Sequence, residues 1–282
     1  MNKSLIFSAA LIVCALVLLL FGFDAFIPQA SLPAGPTVLV VQDDTGAFLM
    51  QVKQGAQKAA AQVGSELSLE TVTAASVEQA AAKWADKGAE AALLLMEDEA
   101  LAARTYESFT AAGIPTVPIL TEETRLPGIG ADERQAGALL GAFARDYARV
   151  YVFGDAPLRL EGAAGVLKKN VLVTDGTLPA PQEDACVLAL TGEETLRLAG
   201  LKAAGGFSAP VAGLDPGEER VRLMEEGFVS ALVCRTPYAM GYAAAAAVYE
   251  EQEPQRALPY RIVYRSDMYS AESVKLMFPL LH

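Results

Sequence analysis

From Thr37 onward, short apolar runs of strand length alternate with stretches whose apolar residues recur every three or four positions, and this alternation constrains the fold more than any other feature. A strand is expected over 37–42, then a helix over 48–63 with Phe48, Val52, Ala56, Ala59 and Val63 on one face. The next pairs are a strand over 67–72 with a helix over 76–87, and a strand over 91–96 with a helix over 99–112. The alternation resumes with a strand over 114–119, a helix over 132–147, a strand over 149–153 and a helix over 158–168. Strands over 171–173 and 185–190 follow, then a helix over 193–204, strands ending near Leu214 and Cys234, and a helix opening at Pro237. Strands separated by helices pair in parallel, because each helix carries the chain back to the starting end and leaves helices on both faces of the sheet. Gly64, Gly88 and Gly113 stand where helices end, a position that favours a residue without a β-carbon. The rhythm breaks once: 174–184 reads Thr-Asp-Gly-Thr-Leu-Pro-Ala-Pro-Gln-Glu-Asp, too short and proline-rich for a crossover helix.

The chain of 282 residues, 52% hydrophobic and 20% charged, holds enough apolar material for one large or two medium domains. A formal charge of -12 argues against a nucleic-acid partner, which draws on clustered Lys and Arg to displace counterions. Ahead of the alternating region, Leu5 to Phe23 is an apolar run of about 19 residues, enough for a helix to cross a bilayer core of roughly 30 Å. Lys3 on its N-terminal side places that end in the cytoplasm and the bulk of the chain outside it. The expectation is a transmembrane signal anchor over 1–27, a Pro-, Ala- and Gly-rich linker over 28–36, and a single-pass cell-membrane protein.

Enzymatic readings find no support. The one histidine is the terminal His282, so no Ser-His-Asp or Cys-His set can form in a folded interior. Asp43-Asp44-Thr45-Gly46, in the first strand-to-helix turn, sets negative charge where a phosphate-binding loop offers bare backbone amides. Cys186 and Cys234 lie in strand-like segments and read as buried free thiols, and neither a metal framework nor a cofactor follows from them.

Several short motifs, in order, carry a resemblance. They are Val38-Leu-Val-Val with Phe48 and Lys53-Gln-Gly-Ala56; Ala112-Gly-Ile-Pro-Thr-Val117; Gly130-Ala-Asp-Glu-Arg-Gln-Ala-Gly137; Arg159-Leu-Glu-Gly162; Gly213-Leu-Asp215; and Pro237-Tyr-Ala-Met-Gly241. Together they resemble the type I periplasmic binding proteins, the ribose- and galactose-binding family that shares its fold with lactose-repressor-like regulators. The resemblance implies two doubly wound parallel-sheet α/β lobes joined by a three-segment hinge, with a solute held between them. It assigns 37–121 plus 236–261 to lobe one and 122–235 plus 262–282 to a shortened lobe two, with crossings near Thr121, Thr236 and Ile262. It also implies a small-molecule partner, sugar or small anion, and ABC permease subunits. A regulator of the same fold would need a DNA-binding motif where the apolar run stands.

The positions matching the family's binding residues give Phe48, Asp44, Thr121, Arg159, Thr191, Asp215 and Arg235 as the candidate site. Phe48, Arg159 and Asp215 keep the family's residue types; Gly46-Ala47, Leu120-Thr121, Thr191-Gly192 and Arg235 replace its Asn-Pro, Asp-Arg, Asn-Asp and glutamine. Bland readings stand beside each: Phe48 packing inside its lobe, Asp43 and Asp44 favouring a helix N-terminus, Asp215 capping the next helix. Two arginines in one cleft would suit an anionic solute. The depleted polar set suits instead a degenerate paralogue acting as a sensory or protein-interaction module. Trp84 reads as core.

Overall fold

The computed structural model describes residues 35–42, 46–120, 126–174, 176–180, 184–249 and 257–277. The expected anchor over 1–27 lies outside them, as does most of the linker; among the described residues no helix is long and apolar enough to cross a membrane.

The first region runs β1 (Thr37–Val41), α1 (Ala47–Gln62), β2 (Leu67–Thr71), α2 (Val77–Asp86), β3 (Ala91–Leu95), α3 (Glu99–Ala111) and β4 (Thr116–Ile119). Its strands form a parallel sheet in the order β2-β1-β3-β4, with Leu39 level with Leu69 and Leu93. Alternate side chains of β1 point to opposite faces and both faces are covered. Val38 and Val40 meet Val77, Ala80, Trp84 and Phe109 of α2 and α3, while Leu39 and Val41 meet Val52, Ala56 and Ala59 of α1. Trp84 lies in that core, its Nε1 donating to Glu70 Oε2 at 3.1 Å.

The second region runs β5 (Gly130–Ala131), α4 (Glu133–Ala144), β6 (Arg149–Phe153), α5 (Pro157–Val166), β7 (Val171–Val173), β8 (Ala185–Ala189), α6 (Gly192–Ala203), β9 (Val211–Leu214), α7 (Glu218–Glu225) and β10 (Ala231–Cys234). The chain then returns through α8 (Pro237–Tyr249), β11 (Ala257–Leu258), β12 (Arg261–Tyr264), a short 3-10 turn (Arg265–Asp267) and α9 (Ala271–Met277). The second sheet has the order β12-β10-β9-β8-β6-β7, parallel except for β12, which runs antiparallel to β10 and departs from the all-parallel expectation. The reason is its direction of entry, because β12 follows β11 from the end where the parallel strands finish. Val150, Val152, Leu188 and Leu214 pack under α4 and α5, while Tyr151, Phe153, Val187 and Leu198 fill the opposite side.

The helix missing from 174–184 has no substitute among that segment's described residues. There Leu178 and Val173 pack against the core containing Tyr151 and Phe153. β7 and β8 pair in parallel with β6 on its opposite sides.

Core membership places the two lobes. Met240, Ala244 and Ala245 of α8 pack with β1, β3 and α1, so α8 belongs to lobe one. Ile129 and Leu258 lie in that same core, whereas Ala131 and Tyr260 pack in the core of lobe two. Core membership first changes at Gly130, because Ile119 and Ile129 form a parallel β-bridge that continues the first sheet, with Leu120 N donating to Ile129 O and Ile129 N to Pro118 O. Core membership changes again between Cys234 and Met240, and a third time at Pro259. β5 and β11 pair in parallel and align the first and third crossings.

Candidate functional site

Four strands of lobe two, β6, β8, β9 and β10, finish at the same edge, and each releases a polar residue there. After β6, Pro157 opens α5 with its ring at a position that needs no amide, and Arg159 falls in the first turn. After β8, Thr191 caps α6, its hydroxyl accepting from Glu194 N at 3.1 Å. After β9 comes Asp215, and after β10 comes Arg235. Open parallel sheets gather polar groups at such ends because strand pairing stops and helix N-termini begin.

Arg159 is fixed by backbone packing. A β-carbon on Gly137 of α4 would collide with the Arg159 carbonyl oxygen, and one on Gly162 would collide with that of Arg134, so the two helices touch backbone to backbone. That approach brings Arg159 to Glu133, which opens α4 behind the Asp132 cap. Arg159 Nε pairs with Glu133 Oε2, and Nη1 donates to the Leu190 carbonyl at 2.7 Å. Both side chains are nearly enclosed, at 12% and 13% exposure.

The second arginine faces the same group through a tyrosine. Tyr260 donates its hydroxyl proton to Glu133 Oε1 at 2.8 Å and accepts from Arg235 Nε at 3.1 Å. Arg235 also pairs with Asp215, Nε to Oδ1 at 3.4 Å, and Asp215 is the more open partner at 30% exposure against 13%. Asp215 has φ of 55°, the one positive φ at a non-glycine among the described residues. Its backbone is pinned by Arg220, whose Nε donates to the Asp215 carbonyl at 2.5 Å and whose Nη1 donates to Gly192 O at 3.2 Å. Left-handed backbone at a side-chain-bearing residue costs about 1 kcal/mol or more and persists where the surroundings over-determine it.

Electrostatics keep both guanidiniums charged and the Tyr260 hydroxyl protonated. Burial works against the charge on Arg159, but the Glu133 hydrogen bond and charge, with Tyr260, outweigh it and raise its pKa above the ordinary guanidinium value. Burial opposes Arg235 likewise, and Asp215, Tyr260 and Glu133 carry it upward. Burial pushes the Tyr260 hydroxyl above the usual phenol range, so it keeps its proton. Two guanidiniums therefore face two carboxylates, and among the described residues no buried side-chain nitrogen or oxygen lacks a partner. Cys186 and Cys234 are buried core thiols outside any disulfide, with burial raising the Cys186 thiol to about 12 and pushing the Cys234 thiol up as well.

Of the sequence candidates, Arg159, Thr191, Asp215 and Arg235 thus share one edge of lobe two. Phe48 sits in the first turn of α1 at the end of β1, half-buried against the core of Leu39, Val41 and Leu49. Asp44 and Thr121 lie outside the described residues. Sequence reasoning missed Glu133 and Tyr260. Glu133 lies inside the quoted Gly130–Gly137 motif, and an acid four residues before a packing glycine is the available signal. Tyr260 had only its place after Pro259 to mark it. Gly213 explains a further contact: a β-carbon there would strike Thr195, whose hydroxyl accepts from Leu214 N at 3.0 Å.

No family model matches the sequence, and no curated protein matches it. Solved structures do. The protein has the fold of the type I periplasmic sugar-binding proteins of ABC transporters. A XylFII–LytSN complex carrying a D103A mutation matches with TM-score 0.70 and 17% identity, over 83% of this chain and 99% of that one. A periplasmic ribose ABC transporter protein from Conexibacter woesei DSM 14684 matches at 0.67 and 16%, covering 88% of this chain and 100% of that one. An ABC transporter solute-binding protein from Agrobacterium vitis, bound to α-D-tagatopyranose, matches at 0.62 and 17%, covering 86% and 99%.

Proposed function

We propose that the protein binds a small polyhydroxyl solute between its lobes without transforming it, on the outer side of a membrane to which its N-terminal segment anchors it, and delivers that solute to an ABC-type importer. The observation that carries the reading is the convergence of Arg159, Thr191, Asp215 and Arg235 at the C-terminal ends of four adjacent strands. Asp215 supplies a partly open acceptor in a backbone state held against its own preference, and guanidinium donors lie beside it. Mixed donors and acceptors suit hydroxyl groups, which both give and take hydrogen bonds. The internal pairing of both arginines favours a neutral solute over the anionic one, since an added carboxylate or phosphate would compete with Glu133 and Asp215 for charges already compensated.

A second reading draws on the same pairing. A polar set that satisfies itself needs no ligand, and this supports a module whose lobes serve protein contact or sensing. Thermal denaturation of the full chain with D-ribose, D-allose, myo-inositol, D-glucuronate and ribose 5-phosphate separates the two readings. Solute at a hundred times its Kd stabilises the native state by about 2.7 kcal/mol, a rise of a few degrees. Neutral polyols are expected to raise the melting temperature and the two anions to leave it unchanged. A uniform null at millimolar concentrations transfers the assignment to the interaction module, and stabilisation by the anions alone overturns the neutral-solute reading.

A further inference from the structure

We infer that Tyr260 is a positioning residue that ties the binding edge of lobe two to all three segments of the hinge. The inference rests on the solute-binding reading only in taking Arg235 and Asp215 as that edge.

Each passage between the lobes places one side chain in the same cluster. The first passage changes core at Gly130 and leads within three residues to Glu133. The second consists of Arg235 and Thr236, between β10 in lobe two and α8 in lobe one. The third changes core at Pro259 and leads directly to Tyr260, whose side chain is 2% exposed and packed in the lobe-two core. The Tyr260 hydroxyl joins Glu133 to Arg235, and its backbone amide donates to Gln135 Oε1 at 2.5 Å on the same helix as Glu133. Asp132 N, one residue before Glu133, donates to Leu258 O, one residue before Pro259.

The polarity of this chain of bonds is forced. A guanidinium only donates and a carboxylate only accepts, so the one hydroxyl proton goes to Glu133 and the lone pair faces Arg235. No member can reverse its role to relieve a loss elsewhere, and within a poorly solvated cluster such bonds reinforce one another. The far end of the chain is the Arg235–Asp215 pair. A solute that gives a hydrogen bond to Asp215 or takes one from Arg235 therefore changes the restraint on Tyr260, where the three segments meet. By linkage, a movement of the Pro259 segment alters Arg235 by the same free energy.

Hydrogen exchange on the full-length protein tests this without any solute. Tyr260→Phe keeps the buried ring and deletes the hydroxyl. Exchange should rise by about tenfold at 129–132, 234–237 and 258–261 together, the loss of one or two buried hydrogen bonds, with the strands of both sheets unchanged. Glu133→Gln, which keeps shape but also removes the charge facing Arg159, should raise the same three segments by at least as large a factor and is the second variant. Tyr242→Phe removes a hydroxyl that bonds Gln62 on the outside of lobe one and should move none of them. A rise confined to 258–261, or an equal rise in Tyr242→Phe, overturns the inference. Addition of D-ribose or myo-inositol to wild type is a separate arm: protection of 234–237 supports the solute-binding reading, and its absence with both counts against that reading while the solute-free comparison still decides the role of Tyr260.

Discussion

In lobe one, α1 and α8 touch at Gly55 and Gly241, where added β-carbons would collide with Tyr238 and Val52 carbonyl oxygens. In lobe two, α4 and α5 touch at Gly137 and Gly162 in the same manner. Each pair covers one face of its own sheet, so the packing problem has been solved twice by the same means. What the helices then carry to the hinge differs. The described start of α1 carries Phe48 and Leu49 against an apolar core, with no acidic residue in its first turn. The α4–α5 contact carries Glu133 and Arg159 into an enclosed ion pair. One lobe offers shape and the other charge, so lobe two is where a polar solute would be discriminated.

The largest effect that could break this contrast is removal of one charge. Arg159→Ala leaves Glu133 enclosed with only the Tyr260 hydroxyl as partner, and the expected loss is about 3–5 kcal/mol. The double variant Arg159→Ala with Glu133→Ala removes the orphan as well, and chemical denaturation should return a smaller loss than the single variant. Strict additivity of the two single losses would mean that the pair carries no coupling. Lobe one supplies the control: Lys83 pairs with Glu70 at 2.5 Å with its own side chain 44% exposed, and Lys83→Ala should cost under about 1 kcal/mol.

A smaller effect sharpens the symmetry of the helix contacts. Gly137→Ala and Gly241→Ala each force two backbones apart, for about 1–3 kcal/mol or somewhat more. The melting temperatures should fall alike, but only Gly137→Ala displaces Arg159 from Glu133 and Leu190 O, so only it should also weaken solute affinity. Equal loss of affinity in both would assign binding to the overall spacing of the lobes and not to the charged edge.

How much of this was legible follows from range. Parallel pairing and helix faces follow from local periodicity, which the longer elements from Thr37 to Pro237 carry, whereas the order of the lobes was implied only by the family resemblance. The antiparallel β12 was not legible, because its direction depends on where the third passage enters the lobe. β5 and β11 are two residues long each and leave no periodicity to read. Asp215 and Arg235 could be placed at strand ends because each follows an apolar run, Arg159 at a helix start, and Thr191 only by its match to the family's binding positions. Glu133 and Tyr260 could not, since their meaning arises from a contact spanning 127 positions of sequence. The family's glutamine position, occupied by Arg235, posed a question the sequence alone could not answer: a lone cation there suggests an anion, whereas Asp215 at 3.4 Å and the Tyr260 hydroxyl turn it into a neutralised donor.

The smallest effect concerns whether Thr191 caps a helix, binds solute, or does both, and the two lobes offer a matched pair. Asp98 caps α3 in lobe one by accepting from Leu101 N at 3.0 Å, and Thr191 caps α6 in lobe two by accepting from Glu194 N at 3.1 Å. Asp98→Ala and Thr191→Ala should each cost about 1 kcal/mol by chemical denaturation, the ordinary worth of an N-cap. Capping uses only the oxygen lone pair of Thr191 and leaves the hydroxyl proton for a solute oxygen. Thr191→Ala should therefore also weaken solute binding, by about tenfold for one hydrogen bond, while Asp98→Ala leaves affinity unchanged. Equal stability loss with unchanged affinity in both would remove Thr191 from the site and confine recognition to Arg159, Asp215 and Arg235.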